Sequence, residues 1–148
     1  MTSPDEAIER FELAFFSLFR KLGPELGLPP DLSITGPQLM MLYSIIKMQP
    51  CPTTKLAQQL EVTPSAITVM IDRLVNHGYV VRKADEHDRR VVLLEVTEQG
   101  HQVLQTIKEL RTQAVKTYLS YLEPEEFDLF LNIFEKIAHN INNTKVDN

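Results

Sequence analysis

The sequence predicts a mainly α-helical chain with a small β-hairpin wing, on three observations between Thr53 and Gly100. Two short apolar stripes at helical spacing, Leu56-Ala57-Leu60 and then Ala66, Ile67, Met70, Ile71 and Leu74, are separated by a turn at Glu61-Val62. Two runs rich in β-branched residues, Tyr79–Lys83 and Val91–Val96, flank the charged segment Asp85-Glu86-His87-Asp88-Arg89-Arg90. Thr97 to Gly100 then reads as the start of another helix. Helix, turn, helix, hairpin and helix in that order describe a winged helix-turn-helix.

Each element has a local reason. Thr53 or Thr54 can cap the first short helix, because a hydroxyl satisfies amides that have no partner at a helix start. Thr63-Pro64 opens the second in the same way, with proline at a position where its missing N–H costs nothing. Gly78 ends it. Ser65, Thr68, Val69, Asp72, Arg73 and Asn76 lie off the apolar stripe. In a helix-turn-helix the second helix enters the major groove of DNA, so Ser65, Thr68 and Val69 are candidates for contact with bases and phosphates. Further along, Arg73 is a candidate for contact with DNA and His77 for contact with a phosphate near the end of that helix. At the hairpin tip an arginine can enter the minor groove, where the negative potential favours it. Arg90 is the first candidate and Arg89 the second. Asp88 is suited to hold such an arginine by a charge-assisted hydrogen bond.

The flanks are helical too. Ser3-Pro4-Asp5-Glu6 is a capping box, followed by Ile8, Phe11, Phe15, Leu18, Phe19 and Leu22 at helical spacing, which predicts a helix to about Lys21. Gly23-Pro24 to Pro29-Pro30 reads as a loop. Thr35-Gly36-Pro37-Gln38 is a second capping box, opening a helix through Leu39, Leu42, Ile45 and Ile46 that stops before Pro50. Thr97 opens a long helix through Val103, Ile107, Leu110, Ala114, Tyr118 and Leu122. Glu123-Pro124-Glu125-Glu126 begins the last, with carboxylates at the positive end of its dipole. Its stripe is Phe127, Phe130, Leu131, Phe134, Ile137, Ala138 and Ile141. The apolar stripes at the two ends either pack on each other within one chain or are covered by a second copy.

Leu56-Ala57, Leu60, Val62-Thr63-Pro64-Ser65, Ile71-Asp72-Arg73-Leu74, Gly78-Tyr79-Val80, Asp88-Arg89-Arg90 and Thr97-Glu98-Gln99-Gly100 follow one another in a recognisable order. On these residues nearly the whole chain resembles the MarR family of bacterial regulators, named for multiple antibiotic resistance. The resemblance implies a homodimer built from the first and last helices, 1–34 and 98–148, around a DNA-binding lobe at 35–97, all within one domain spanning 1–148. It implies sequence-specific binding to a pseudo-palindromic operator, commonly repression relieved by a ligand. One departure concerns Val69, where many members carry arginine after the recognition-helix threonine. Valine can meet a thymine methyl but cannot make the bidentate guanine contact, so it points to an A·T pair there or to packing alone.

Length and composition fit one globular domain: 148 residues with 43% hydrophobic content can fill a core. The acidic, amphipathic start is unlike a secretory signal, which places the expected location in the cytoplasm. The formal charge of -5 opposes nucleic-acid binding in bulk. Its distribution does not: residues 53–90 carry 6 basic and 5 acidic groups, with the acidic excess on either side.

Phe15, Phe19, Met40, Met41 and Tyr43 are candidates for a pocket that takes a small aromatic or anionic effector, although aromatic and methionine stripes also serve as plain core. Cys51 is the single cysteine, so no intrachain disulfide forms, and a redox role is not expected of it. None of His77, His87, His101 and His139 pairs with another at metal-binding helical spacing, so no metal is expected, and no cofactor is implied. The chain lacks a glycine-rich phosphate loop and a Gly-x-Ser-x-Gly elbow, which argues against an enzyme. A winged-helix protein-interaction module without DNA binding is the alternative. The basic residues Arg73, Arg82, Arg89 and Arg90 argue against that alternative.

Overall fold

Two proline-assisted capping boxes start the first two helices. A computed structural model describes residues 3–144, which fall into two compact units divided between Arg111 and Thr112. In α1 (Pro4–Leu26) the Ser3 hydroxyl accepts from the Glu6 amide and the Glu6 carboxylate accepts from the Ser3 amide. In α2 (Gly36–Lys47) Thr35 and Gln38 repeat that exchange. The chain continues through β1 (Cys51–Pro52), α3 (Thr53–Gln59), α4 (Pro64–Asn76), β2 (Val80–Ala84), β3 (Val92–Val96), α5 (Glu98–Leu119) and α6 (Pro124–Thr144). This is the expected mainly helical winged helix-turn-helix.

The core of the first unit lies where α2, α3, α4 and the start of α5 meet the small sheet. Met41, Leu42, Ile45, Leu56, Ile67, Ile71, Leu74 and Ile107 are its largest fully buried side chains. The sheet is antiparallel with strand order β1-β3-β2: Cys51 pairs with Leu94, and Val80 with Val96 through to Ala84 with Val92. Alternation along β3 buries Leu94 and Val96 and leaves Glu95 outside, as a one-sided sheet requires.

Several elements differ from expectation. α1 does not stop near Lys21 but runs to Leu26 with Pro24 inside it. Part of the clash that proline imposes on its predecessor is with that residue's Cβ, and Gly23 has none. The Arg111 Nε then donates to the Leu26 carbonyl at 2.9 Å, giving the last turn of α1 the cation it otherwise lacks. Cys51, which the prolines on either side of it would place in a short loop, sits on a strand. Neither Thr53 nor Thr54 caps α3: Pro52 is the N-cap without a side-chain bond, and the Thr53 hydroxyl instead donates to the Val92 carbonyl at 3.3 Å. Ala66 is exposed, so the buried stripe of α4 narrows to Ile67, Ile71 and Leu74, with Met70 half-buried. Leu122 lies past the end of α5, and Leu110 is exposed.

α4, the sheet and α5 are joined at one point. Gly78 leaves α4 with φ +76°, a conformation open to glycine without a Cβ penalty. The Thr97 hydroxyl donates to the Gly78 carbonyl at 2.6 Å and accepts from the Gly100 amide at 3.0 Å, while the Thr97 amide donates to the Tyr79 carbonyl at 3.0 Å. A Cβ on Gly100 would lie 2.4 Å from the Tyr79 carbonyl oxygen and 2.6 Å from a Val96 methyl, so glycine is the residue that fits.

In the second unit Glu126 accepts from the Glu123 amide at 2.9 Å to start α6, and Phe130 stacks on Phe134 at 5.6 Å. Neither α1 nor α6 buries a residue among those described, and Phe11, Phe16, Phe19, Phe134 and Ile137 are each more than half exposed.

Gly100→Ala should destabilise the fold by about 1–3 kcal/mol, because backbone must move to admit the methyl group. Gly36→Ala, where a Cβ meets nothing within 4 Å, should change stability by less than about 0.5 kcal/mol. Urea unfolding of the two variants beside the wild type checks both.

Candidate nucleic-acid interface

Thr63 starts α4 by accepting from the Ala66 amide at 3.2 Å, and Pro64 follows at the first helical position. The turn before it needs Glu61 at φ 53°, a left-handed conformation. Because Ile67, Ile71 and Leu74 anchor one face in the core, the opposite face, with Ser65, Thr68, Val69 and Arg73, is exposed. The Thr68 hydroxyl donates to the Pro64 carbonyl at 2.8 Å, leaving its oxygen lone pairs as acceptors. His77 caps the end of α4. Its amide and its Nδ1–H both donate to the Arg73 carbonyl, at 3.0 and 2.6 Å, and its ring stacks on Tyr79 at 5.7 Å.

The tip of the wing is fixed by two aspartates. Asp85 Oδ1 accepts from the amides of His87 at 2.7 Å and Asp88 at 3.1 Å, closing a turn of the kind short carboxylates favour. Asp88 Oδ1 accepts from the Arg90 amide and from Arg90 Nε, both at 3.1 Å, and Asp88 Oδ2 accepts from Arg90 Nη2 at 3.3 Å. Arg90 nonetheless keeps 91% of its side chain in solvent. Its orientation is held at the base while the guanidinium stays accessible. The same hydrogen bonds pull the Asp88 carboxyl below its ordinary range. Arg89 and His87 are exposed on the same tip.

Two features at this face carried no expectation from the sequence. Asp85 supports the turn, and Arg82 on β2 reaches Asp72 on α4 through Nη2 to Oδ1, tying the wing to the helix. Arg82 and Arg90 line one cleft of about 350 Å³, together with Thr53, Thr54, Thr68 and Val92. Acid and base already alternated in this stretch of sequence, but nothing in the spacing of Asp72 and Arg82 fixes their meeting before the strand register is known.

The residues considered for an effector pocket separate. Met41 is fully buried in the core, because the inward face of α2 carries Gln38, Leu39, Met41, Leu42, Ser44 and Ile45, so it cannot line an open pocket. Met40 and Tyr43 are exposed on α2, and Phe15 and Phe19 are exposed on α1, stacked at 6.2 Å. Cys51 is fully buried, and that burial raises its thiol above the ordinary range, with Lys55 making a smaller contribution in the opposite direction. Its reactive thiolate form is thereby disfavoured. Among the described residues no group of three metal-binding side chains occurs, and no helix is long and apolar enough to cross a membrane.

This geometry has close parallels. The family model described as MarR family matches residues 34–92. The HTH-type transcriptional repressor MdtR of Bacillus subtilis is 32% identical over 139 residues, covering 93% of this chain and 90% of that protein. The chain belongs to the MarR family. Its relatives are helix-turn-helix transcriptional regulators rather than enzymes, and its function is of that class, a DNA-binding regulator. Among solved structures, YusO of Bacillus subtilis superimposes with a TM-score of 0.83 at 31% identity, covering 93% of this chain and 99% of that one. A mutant of Staphylococcus aureus MepR bound to an oligodeoxyribonucleotide shares the MarR fold with a TM-score of 0.67 at 18% identity, over 91% and 97% of the two chains.

Asp88 is a group whose carboxyl is depressed in the fold, so its pairing with Arg90 is present at neutral pH and is lost only as pH falls through the depressed value. An NMR pH titration should find Asp88 ionising below the usual carboxylate range, and Arg90→Ala should move it back up.

Proposed function

We propose that this MarR-family regulator is a ligand-responsive repressor that binds a pseudo-palindromic operator as a homodimer in the cytoplasm. The N-terminal half of α4 enters the major groove through Ser65, Thr68 and Val69. Arg73 and His77 contact the backbone, and Arg90, with Arg89 beside it, enters the adjacent minor groove. The observation that carries this reading is the wing tip, where Asp88 orients an arginine that remains 91% exposed. An exposed, oriented guanidinium on a turn already closed by Asp85 meets DNA with little further ordering cost.

Dimerisation is supported by the exposed apolar faces of α1 and α6, which are too large for lone surface helices in water. A second copy would cover them and hold two α4 helices about one helical turn of DNA apart, roughly 34 Å. An effector, small and aromatic or anionic, acts only if it binds one spacing of those helices better than another. Phe15, Phe19, Met40 and Tyr43 are the exposed side chains suited to receive it. Repression is supported by the relation to MdtR, a transcriptional repressor.

Salt-dependent binding to the DNA upstream of its own gene tests the reading. Affinity should fall about a hundredfold or more between roughly 50 and 200 mM salt, as counterion release from several phosphates requires. Arg90→Ala should weaken binding about tenfold at fixed salt, since both half-sites lose their minor-groove contact. Absence of binding even at low salt would instead favour a protein-interaction module.

A further inference from the structure

We propose that Arg82 is a DNA-backbone contact, its guanidinium receiving the phosphodiester group that crosses the cleft between α4 and the wing. The inference rests on the reading of α4 and Arg90 as DNA contacts. The major and minor grooves of a duplex are separated by a sugar-phosphate strand. If Thr68 lies in one groove and Arg90 in the next, that strand passes over whatever lies between them. Thr68, Arg82 and Arg90 all line the same cleft of about 350 Å³.

The cleft has the chemistry a phosphate needs. Arg82 supplies a fixed positive charge and a fork of N–H donors matched to two phosphate oxygens. Thr54, exposed on the cleft wall, adds a hydroxyl. The Asp72 carboxylate takes one N–H of Nη2, leaving the second Nη2 hydrogen with those of Nε and Nη1 as donors. Asp72 is thus a positioning residue. Lys83, the next residue along β2, is engaged elsewhere, pairing with Glu95 on the neighbouring strand at 2.6 Å, and it does not line the cleft. Ile71 and Val92 are apolar members of the lining.

A competing account is that Arg82 only staples β2 to α4. The experiment that separates the two compares the salt dependence of operator binding for wild type, Arg82→Gln, Arg82→Lys, Asp72→Asn and Arg90→Ala in the full chain, with the thermal unfolding of each variant as the check on folding. Each lost phosphate contact lowers the slope of log affinity against log salt by about 0.9, so Arg82→Gln should lower it by about 2 in a dimer. It should weaken operator and unrelated duplexes by the same factor, since backbone contacts carry no sequence information. Arg82→Lys keeps the charge and should keep the slope, as should Asp72→Asn. An unchanged slope in Arg82→Gln, or an equal loss of slope in Asp72→Asn, would overturn the proposal while leaving the Arg90 reading intact. A wild type that binds no duplex, or that binds as well without Arg90, would overturn both.

Discussion

The Thr97 hydroxyl is the point on which the winged helix-turn-helix depends. It donates to the carbonyl of Gly78, where α4 has ended, and accepts from the amide of Gly100, where α5 is starting. The Thr97 amide meanwhile bonds the Tyr79 carbonyl immediately before the pairing of Val80 with Val96. α4, both wing strands and α5 therefore leave from one set of hydrogen bonds, each contributing about 0.5–1.5 kcal/mol net. The absence of a side chain at Gly100 lets the backbones approach closely enough for it. Angular error at this joint would be carried out to both the exposed face of α4 and the tip of the wing.

A second layer of order comes from short acidic side chains on an acidic chain. Asp85 closes the tip, Asp88 orients Arg90, and Asp72 engages Arg82 across the interface between helix and strand. The Asp88–Arg90 and Asp72–Arg82 pairs are solvent-exposed, so their worth in stability is small; their effect is to restrict where two guanidiniums sit. The net charge of -5 therefore understates the face. A protein of this balance gains less from bulk attraction to DNA and relies more on a few placed cations.

What was legible in the sequence was whatever local chemistry decides. Ser3 with Glu6, Thr35 with Gln38, and Thr63 with Pro64 mark three helix starts within four residues each, and the β-branched runs around Asp85–Arg90 mark the hairpin. Features set by distant partners were not legible. β1 exists only because Cys51 and Pro52 meet Leu94 and Leu93, some forty positions away. Thr53 gives its hydroxyl to Val92 instead of its own helix, which no local rule foresees. α1 passes Pro24, with Gly23 before it easing the clash and Arg111, far along the chain, bonding the Leu26 carbonyl at its end. Met40 and Met41 are neighbours in sequence yet lie about 100° apart around α2, one exposed and the other fully buried, so a shared role for them fails on helical geometry. Arg82 passed unremarked as a site because its importance depends on the register of β2 against β3.

The central claim is that α4 and the wing tip form one DNA-facing surface while the apolar faces of α1 and α6 serve another purpose. Amide chemical-shift mapping of the labelled protein on addition of a short duplex tests this most directly. Perturbations should concentrate at Ser65–Val69, His77 and the tip from Asp88 to Arg90, with Arg82 between them. Perturbations confined to α1 and α6, with α4 and the tip unmoved, would contradict the account.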